Sequence, residues 1–169
     1  MKAIGISEEQ SLGVEMLDLL YSYYLLKSLS AEPESHDALG NMRRIKMAQL
    51  LTNDIILRLC KFRDDDSRSL SFDQVYKALR KREAKKERVD GLEPIIKKYR
   101  SLTRNLENHR DAYIAHLSKR DRSHLRPPVE LADAIGLALT ITDKLGGGKN
   151  SYKVLGLDLR QDQFDDSAG

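Results

Sequence analysis

Apolar residues recur at helical spacing along most of this chain. Leu12, Met16, Leu19, Tyr23 and Leu26 stand three or four residues apart, which keeps them on one face of a first helix. Ser7-Glu-Glu-Gln10 precedes them as a capping box, in which serine and glutamine each satisfy an open backbone donor of the other. Val14, Leu17, Leu20, Tyr21, Tyr24 and Leu25 make this helix apolar around much of its circumference. That predicts a central helix, or one shared between the core and a partner. Ser30 to Gly40, with Pro33 and Gly40, predicts a loop. A second helix is predicted from about Asn41 to Arg63, with Ala48, Leu51, Ile55, Leu59 and Phe62 inward and Met47, Leu50, Leu57 and Cys60 widening the stripe. Asp64-Asp-Asp66-Ser ends it, because short polar side chains bond locally and favour turns.

Ser71-Phe-Asp-Gln74 repeats the capping box and opens a third helix with Phe72, Val75, Tyr76 and Leu79 inward. Its continuation, Arg80 to Arg88, is strongly basic, which reads either as a solvated face or as a phosphate-contacting surface. Past Gly91 a fourth helix begins near Glu93-Pro94, with proline at an early position. Ile95, Tyr99, Leu102, Leu106, His109, Tyr113 and His116 follow gaps of 4, 3, 4, 3, 4 and 3, a heptad seam that predicts a buried or paired face. Arg126-Pro127-Pro128 breaks the chain. A fifth helix runs from Pro128 to Leu145 with Leu131, Ile135, Ala138, Ile141 and Leu145 inward, and Gly146 closes it. Tyr152-Lys-Val-Leu155 hints at a strand but is very short. The expected fold is all-α: one up-and-down bundle of about five helices over residues 1–146, followed by a tail, 147–169, of uncertain order.

Composition agrees with that pattern. The chain has 169 residues, 40% apolar and 33% charged, a balance suited to a soluble helical domain. The lone Cys60 excludes a disulfide framework or a cysteine-built zinc site within one chain, and points to a reducing, cytoplasmic setting. No signal region opens the sequence, and no apolar run reaches membrane-spanning length. Net charge is only +3. The distribution says more: residues 97–126 carry nine Lys/Arg against three Asp/Glu.

Chemistry concentrates in that basic stretch. Arg110, Asp111 and His116 end the fourth helical pattern, and Lys119, Arg120, Arg122 and Arg126 follow at once. Histidine moves protons near neutral pH, and the planar arginine fork grips phosphate. This pairing suits RNA cleavage without metal or other cofactor, with the basic run on the phosphates and Tyr113 as a surface for a base. Each residue has a plainer reading: His116 and Tyr113 as core, Arg110 in a surface ion pair with Glu107, Asp111 as a solvent-facing residue. A second Arg–His pair, Arg104 and His109, competes, but His109 sits mid-seam and reads mainly as packing. Six residues separate Arg110 from His116, about 9 Å of helix rise, and helical side chains lean toward the N-terminus. One straight helix does not easily bring both to one phosphate. A two-fold partner would, so the constellation predicts a homodimer through the fourth-helix seam. Gly146-Gly-Gly-Lys-Asn150 lacks phosphate-loop spacing, and Ser123-His124 beside Asp121 lacks a nucleophile elbow.

The motif Arg110-Asp-Ala-Tyr-Ile-Ala-His116 near the end of a penultimate long helix resembles that of the HEPN superfamily, and most of all its abortive-infection members of the AbiU type. Ile56-Leu-Arg-Leu-Cys-Lys-Phe-Arg63 before an acidic loop, and Ser69-Leu-Ser-Phe-Asp-Gln74 opening the next helix, extend the likeness over roughly residues 10–145. The resemblance implies a dimer-interface cleft lined by Arg110 and His116, and metal-independent RNA cleavage by attack of the 2′-hydroxyl. Asp111 matches the polar residue that follows the motif arginine. A defence or toxin role implies RNA as substrate and leaves room for an antitoxin or regulatory protein. The family also includes members that bind RNA or protein without cutting, so a non-catalytic interaction module is the alternative.

Overall fold

The computed structural model describes residues 7–33, 37–64, 70–82, 86–111 and 128–160. Helix α1 spans Glu8–Ala31 and α2 spans Ala38–Arg63. After them come α3 (Phe72–Arg80), a single turn α4 (Lys86–Val89), α5 (Leu92–Leu102), α6 (Arg104–His109) and α7 (Pro128–Gly146). The fold is all-α, a helical bundle, with a small antiparallel pair β1 (Lys153–Val154) and β2 (Leu157–Asp158) after it.

Local chemistry sets the helix starts. Ser7 Oγ accepts from Gln10 N at 3.2 Å and Gln10 Oε1 accepts from Ser7 N at 2.9 Å, completing the expected capping box. Ser71 Oγ likewise accepts from Gln74 N. The second helix begins earlier than its apolar pattern implies. Asp37 accepts from the backbone N–H groups of Leu39 and Gly40, both at 3.1 Å, so the cap outweighs the cost of glycine in the first turn.

Helix α1 is central. Leu12, Met16, Leu19, Leu20, Tyr23 and Leu26 are all buried, and α1 packs against both α2 and α7. Two neighbours account for much of its apolar circumference without a partner chain. A polar seam also joins α1 to α2: Arg58 meets Asp54 at 2.9 Å and Glu15 and Asp18 at 3.1 Å, and Ser22 Oγ donates to Asp54 at 2.7 Å.

The first half of α2 departs from expectation. Ala48 and Leu51 are only half-buried, and Leu39, Met42, Ile45, Met47 and Leu50 are exposed. At 26 residues α2 is roughly 39 Å long; α1, at 24, packs along it, but the other helices are shorter and leave one face of this half uncovered. Its second half, with Ile55, Ile56, Leu59 and Phe62, is buried.

The fourth-helix seam is also corrected. The chain turns at Thr103 between α5 and α6, and the buried positions are Leu92, Ile96, Tyr99, Thr103, Leu106 and His109. Ile95 is half-buried and Leu102 is 43% exposed. A 4-3-4-3 spacing starts equally well at Leu92, and that register faces the bundle's own core. Tyr99 is fully buried and donates from its hydroxyl to the Leu59 carbonyl at 2.6 Å. The described part of the seam is therefore used inside the chain, which removes the packing argument for a dimer through it.

Helix α7 buries Leu131, Ile135, Ala138, Ile141 and Leu145 as expected. It ends in a Schellman turn: Gly148 N–H reaches Asp143 O and Gly147 N–H reaches Lys144 O. Gly147 carries φ +90°, and a Cβ there would lie 2.9 Å from Arg88 Nη1. Arg88 itself donates to the Leu145 carbonyl, so α4 caps α7. Beyond the turn, Tyr152 and Leu159 are buried in the core, and Arg160 pairs with buried Asp143 at 2.7 Å.

Candidate functional site

Three aromatic rings fix the elements around Arg110. Phe62 on α2 stacks on Phe72 of α3, centroids 4.7 Å apart and planes 8° from parallel. Phe72 meets the edge of Tyr99 on α5 at 5.1 Å. These contacts hold the last turn of α2 against the start of α3 and the end of α5, and so against α6.

Arg110 ends α6, where its N–H bonds to the carbonyls of Leu106 and Glu107. The helix widens to π-type winding at Arg110 and Asp111, a local change often found at functional positions. The ideal-helix angle from Arg110 to His116 therefore does not carry across this point. Arg110 Nε donates to Asp111 Oδ1 at 2.8 Å. That bond, outweighing the cost of burial, raises the guanidinium pKa above its ordinary value. One of five arginine donors is used in it; the Nη fork lies on the other side of the group. The side chain is 31% exposed, so it is held yet open to solvent.

Glu107 does not take the role the sequence offers it. Instead of Arg110 it pairs with Arg63 of α2, Nη1 to Oε2 at 2.6 Å, with Arg63 only 14% exposed. This partly buried pair ties the last turn of α2 to the turn that presents Arg110. Arg63 Nε is buried with no acceptor among the described residues. Arg63 enters the sequence reading as the end of a helix and of the stretch 56–63 that carries the family likeness, with no role of its own. An arginine that closes an apolar stripe ahead of an acidic loop is the signal that marks it, and that signal is shared with many ordinary helix ends.

Cys60 lies beneath this cluster, within electrostatic reach of Arg110, Glu107, Arg63 and Asp111. Burial pushes its thiol up to about 11, so it stays protonated at neutral pH and is no nucleophile. His109 is buried, in keeping with packing, and Arg104 is exposed. His116, Tyr113, Lys119, Arg120, Arg122 and Arg126 lie outside the described residues. Among the described residues no group of three or more His, Cys, Asp or Glu is placed to hold a metal, and no helix is long and apolar enough to cross a membrane.

Residues 9–145 match a HEPN family model described as AbiU2. No curated protein and no solved structure matches the chain.

Proposed function

The chain belongs to the AbiU2 family of HEPN abortive-infection proteins, and on that premise we propose that it is a metal-independent endoribonuclease. His116 takes the proton of the ribose 2′-hydroxyl, the oxygen attacks the adjacent phosphorus, and the 5′-oxygen leaves. His116 of a second copy, or water, protonates that leaving oxygen. Arg110 stabilises the phosphorane, and the product carries a 2′,3′-cyclic phosphate. The observation that carries this reading is the presentation of Arg110. Its guanidinium is oriented by Asp111 through Nε at 2.8 Å, is partly exposed, and sits on a turn braced by the Arg63–Glu107 pair.

A homodimer belongs to the reading, because the family resemblance implies a dimer-interface cleft lined by Arg110 and His116, to which a two-fold partner would bring a second copy of each. Further partners in this reading are the RNA itself and an antitoxin or regulatory protein, and its setting is the cytoplasm. The test is cleavage of mixed RNA in chelator by the purified chain and its Arg110 and His116 variants.

The basic run gives a separate expectation. Lys119, Arg120, Arg122 and Arg126 bind phosphates in this reading, and Tyr113 offers a ring to a base. Replacing Lys119, Arg120 and Arg122 by alanine should weaken RNA binding. It should also flatten the plot of log affinity against log salt, by about 0.7 for each phosphate that is no longer neutralised. An unchanged slope would mark these side chains as ordinary solvated charges.

A further inference from the structure

A second basic surface lies away from Arg110. Helices α3 and α5 enclose an open cavity of about 410 Å³, within the size range of small-ligand sites. Five basic residues line it against two acidic ones. Both acids are engaged: Asp73 with Arg100 at 2.5 Å and Glu93 with Lys97 at 2.9 Å. Lys77, Arg80 and Lys81 add positive charge that neither pair cancels. Tyr76 forms one wall, half-buried against the core. Arg80 lies beside its ring, Cζ 6.0 Å from the centroid, and donates to its hydroxyl at 3.4 Å. A tyrosine ring next to a planar guanidinium, rimmed by lysines, combines a stacking surface with phosphate donors.

We propose that this cavity binds one nucleotide unit of single-stranded RNA, with the base against Tyr76 and the phosphate among Lys77, Arg80 and Lys81. The chemistry favours RNA over an acidic peptide, because a peptide carboxylate has no use for the ring. The cavity is distinct from the candidate cleavage site: its lining comes from α3, α5 and the residues next to them, and includes neither Arg110 nor Asp111. It therefore acts as a holding point for the strand. The proposal rests on the endoribonuclease reading only in its choice of RNA as ligand.

The test is fluorescence anisotropy with an end-labelled oligouridine, using the full chain carrying Arg110→Ala so that the probe stays intact. Two changes are then added to that background. Lys77→Ala with Lys81→Ala removes exposed charges and should flatten the salt slope by about 1.4. Tyr76→Leu keeps an apolar side chain against the core; it should weaken binding roughly tenfold and leave the slope unchanged. Circular dichroism checks that each variant is folded. A free nucleotide, uridine monophosphate, added as competitor separates the two sources of this chemistry: displacement only at concentrations far above the oligomer's supports a strand site, and equal potency overturns it. Polyglutamate competing as well as RNA would also overturn it, as would lysine variants with native affinity and slope. The outcomes separate from those of the cleavage reading. Loss of cleavage activity in the native chain with groove binding intact removes only the nuclease. Native cleavage with an inert groove removes only this site.

Discussion

His116→Ala should cut RNA in chelator roughly 10²–10⁴-fold more slowly than the native chain. The expected loss is that large because imidazole is the only group in the motif whose ordinary pKa lets it both take and give a proton near pH 7. Arg110→Lys should impair cleavage too. Lysine keeps the charge but has neither the Nε that bonds Asp111 at 2.8 Å nor the fork beyond it. His109→Ala should cost stability more than activity, since His109 is buried in the bundle. Each variant is followed by product formation and circular dichroism. Mixing Arg110→Ala with His116→Ala adds a test of the dimer. If each site takes its arginine from one copy and its histidine from the other, and water protonates the leaving oxygen, one site of a mixed dimer keeps both groups and cleavage returns. No return, with mixed dimers demonstrated, would mean that the site either lies within one chain or needs both His116 side chains. A His116→Ala chain that cuts at the native rate while His109→Ala is dead would mean the wrong histidine was chosen. A native chain that cuts nothing would leave a binding module.

Much of the fold was legible in the sequence because caps and stripes act locally. The Ser7 and Ser71 caps, the α1 stripe and the α7 stripe are all found where the periodicity puts them. The departures arise where two registers fit one pattern. Ile95 and Ile96 are both apolar, and which one turns inward depends on the break at Thr103 and on Tyr99 reaching the Leu59 carbonyl. The apolar residues in the first half of α2 have core spacing, yet core needs neighbours, and the shorter helices leave one face of that half uncovered. At the site, Arg110 and Asp111 can be named from the chain alone. The brace cannot, because Arg63 and Glu107 are far apart in sequence and either charge has other partners at hand. Arg63 emerges only once α2 and α6 are packed together.

The last expectation concerns that packing. Phe72→Ala should lower the stability of the chain by about 3–5 kcal/mol. Phe72 is 1% exposed and touches two rings, Phe62 at 4.7 Å and Tyr99 at 5.1 Å. Its removal loses the transfer energy of a buried ring, leaves a cavity, and breaks both aromatic interactions. Phe72→Leu fills most of the space and should cost less than half as much. A loss of this size is a large share of the roughly 5–15 kcal/mol available to a domain, so the alanine variant should show partial unfolding near physiological temperature. Urea titration reads both changes, as a lower midpoint with an unchanged slope. The same three rings hold the end of α2 beside α6, so the two variants also separate stability from site geometry. At a temperature where Phe72→Leu remains fully folded, any loss of cleavage reports displacement of Arg63 and Arg110 rather than unfolding. An alanine variant that loses less than about 1 kcal/mol would show that the rings do not pack as a cluster, and the positioning of Arg110 by the end of α2 would fall with it.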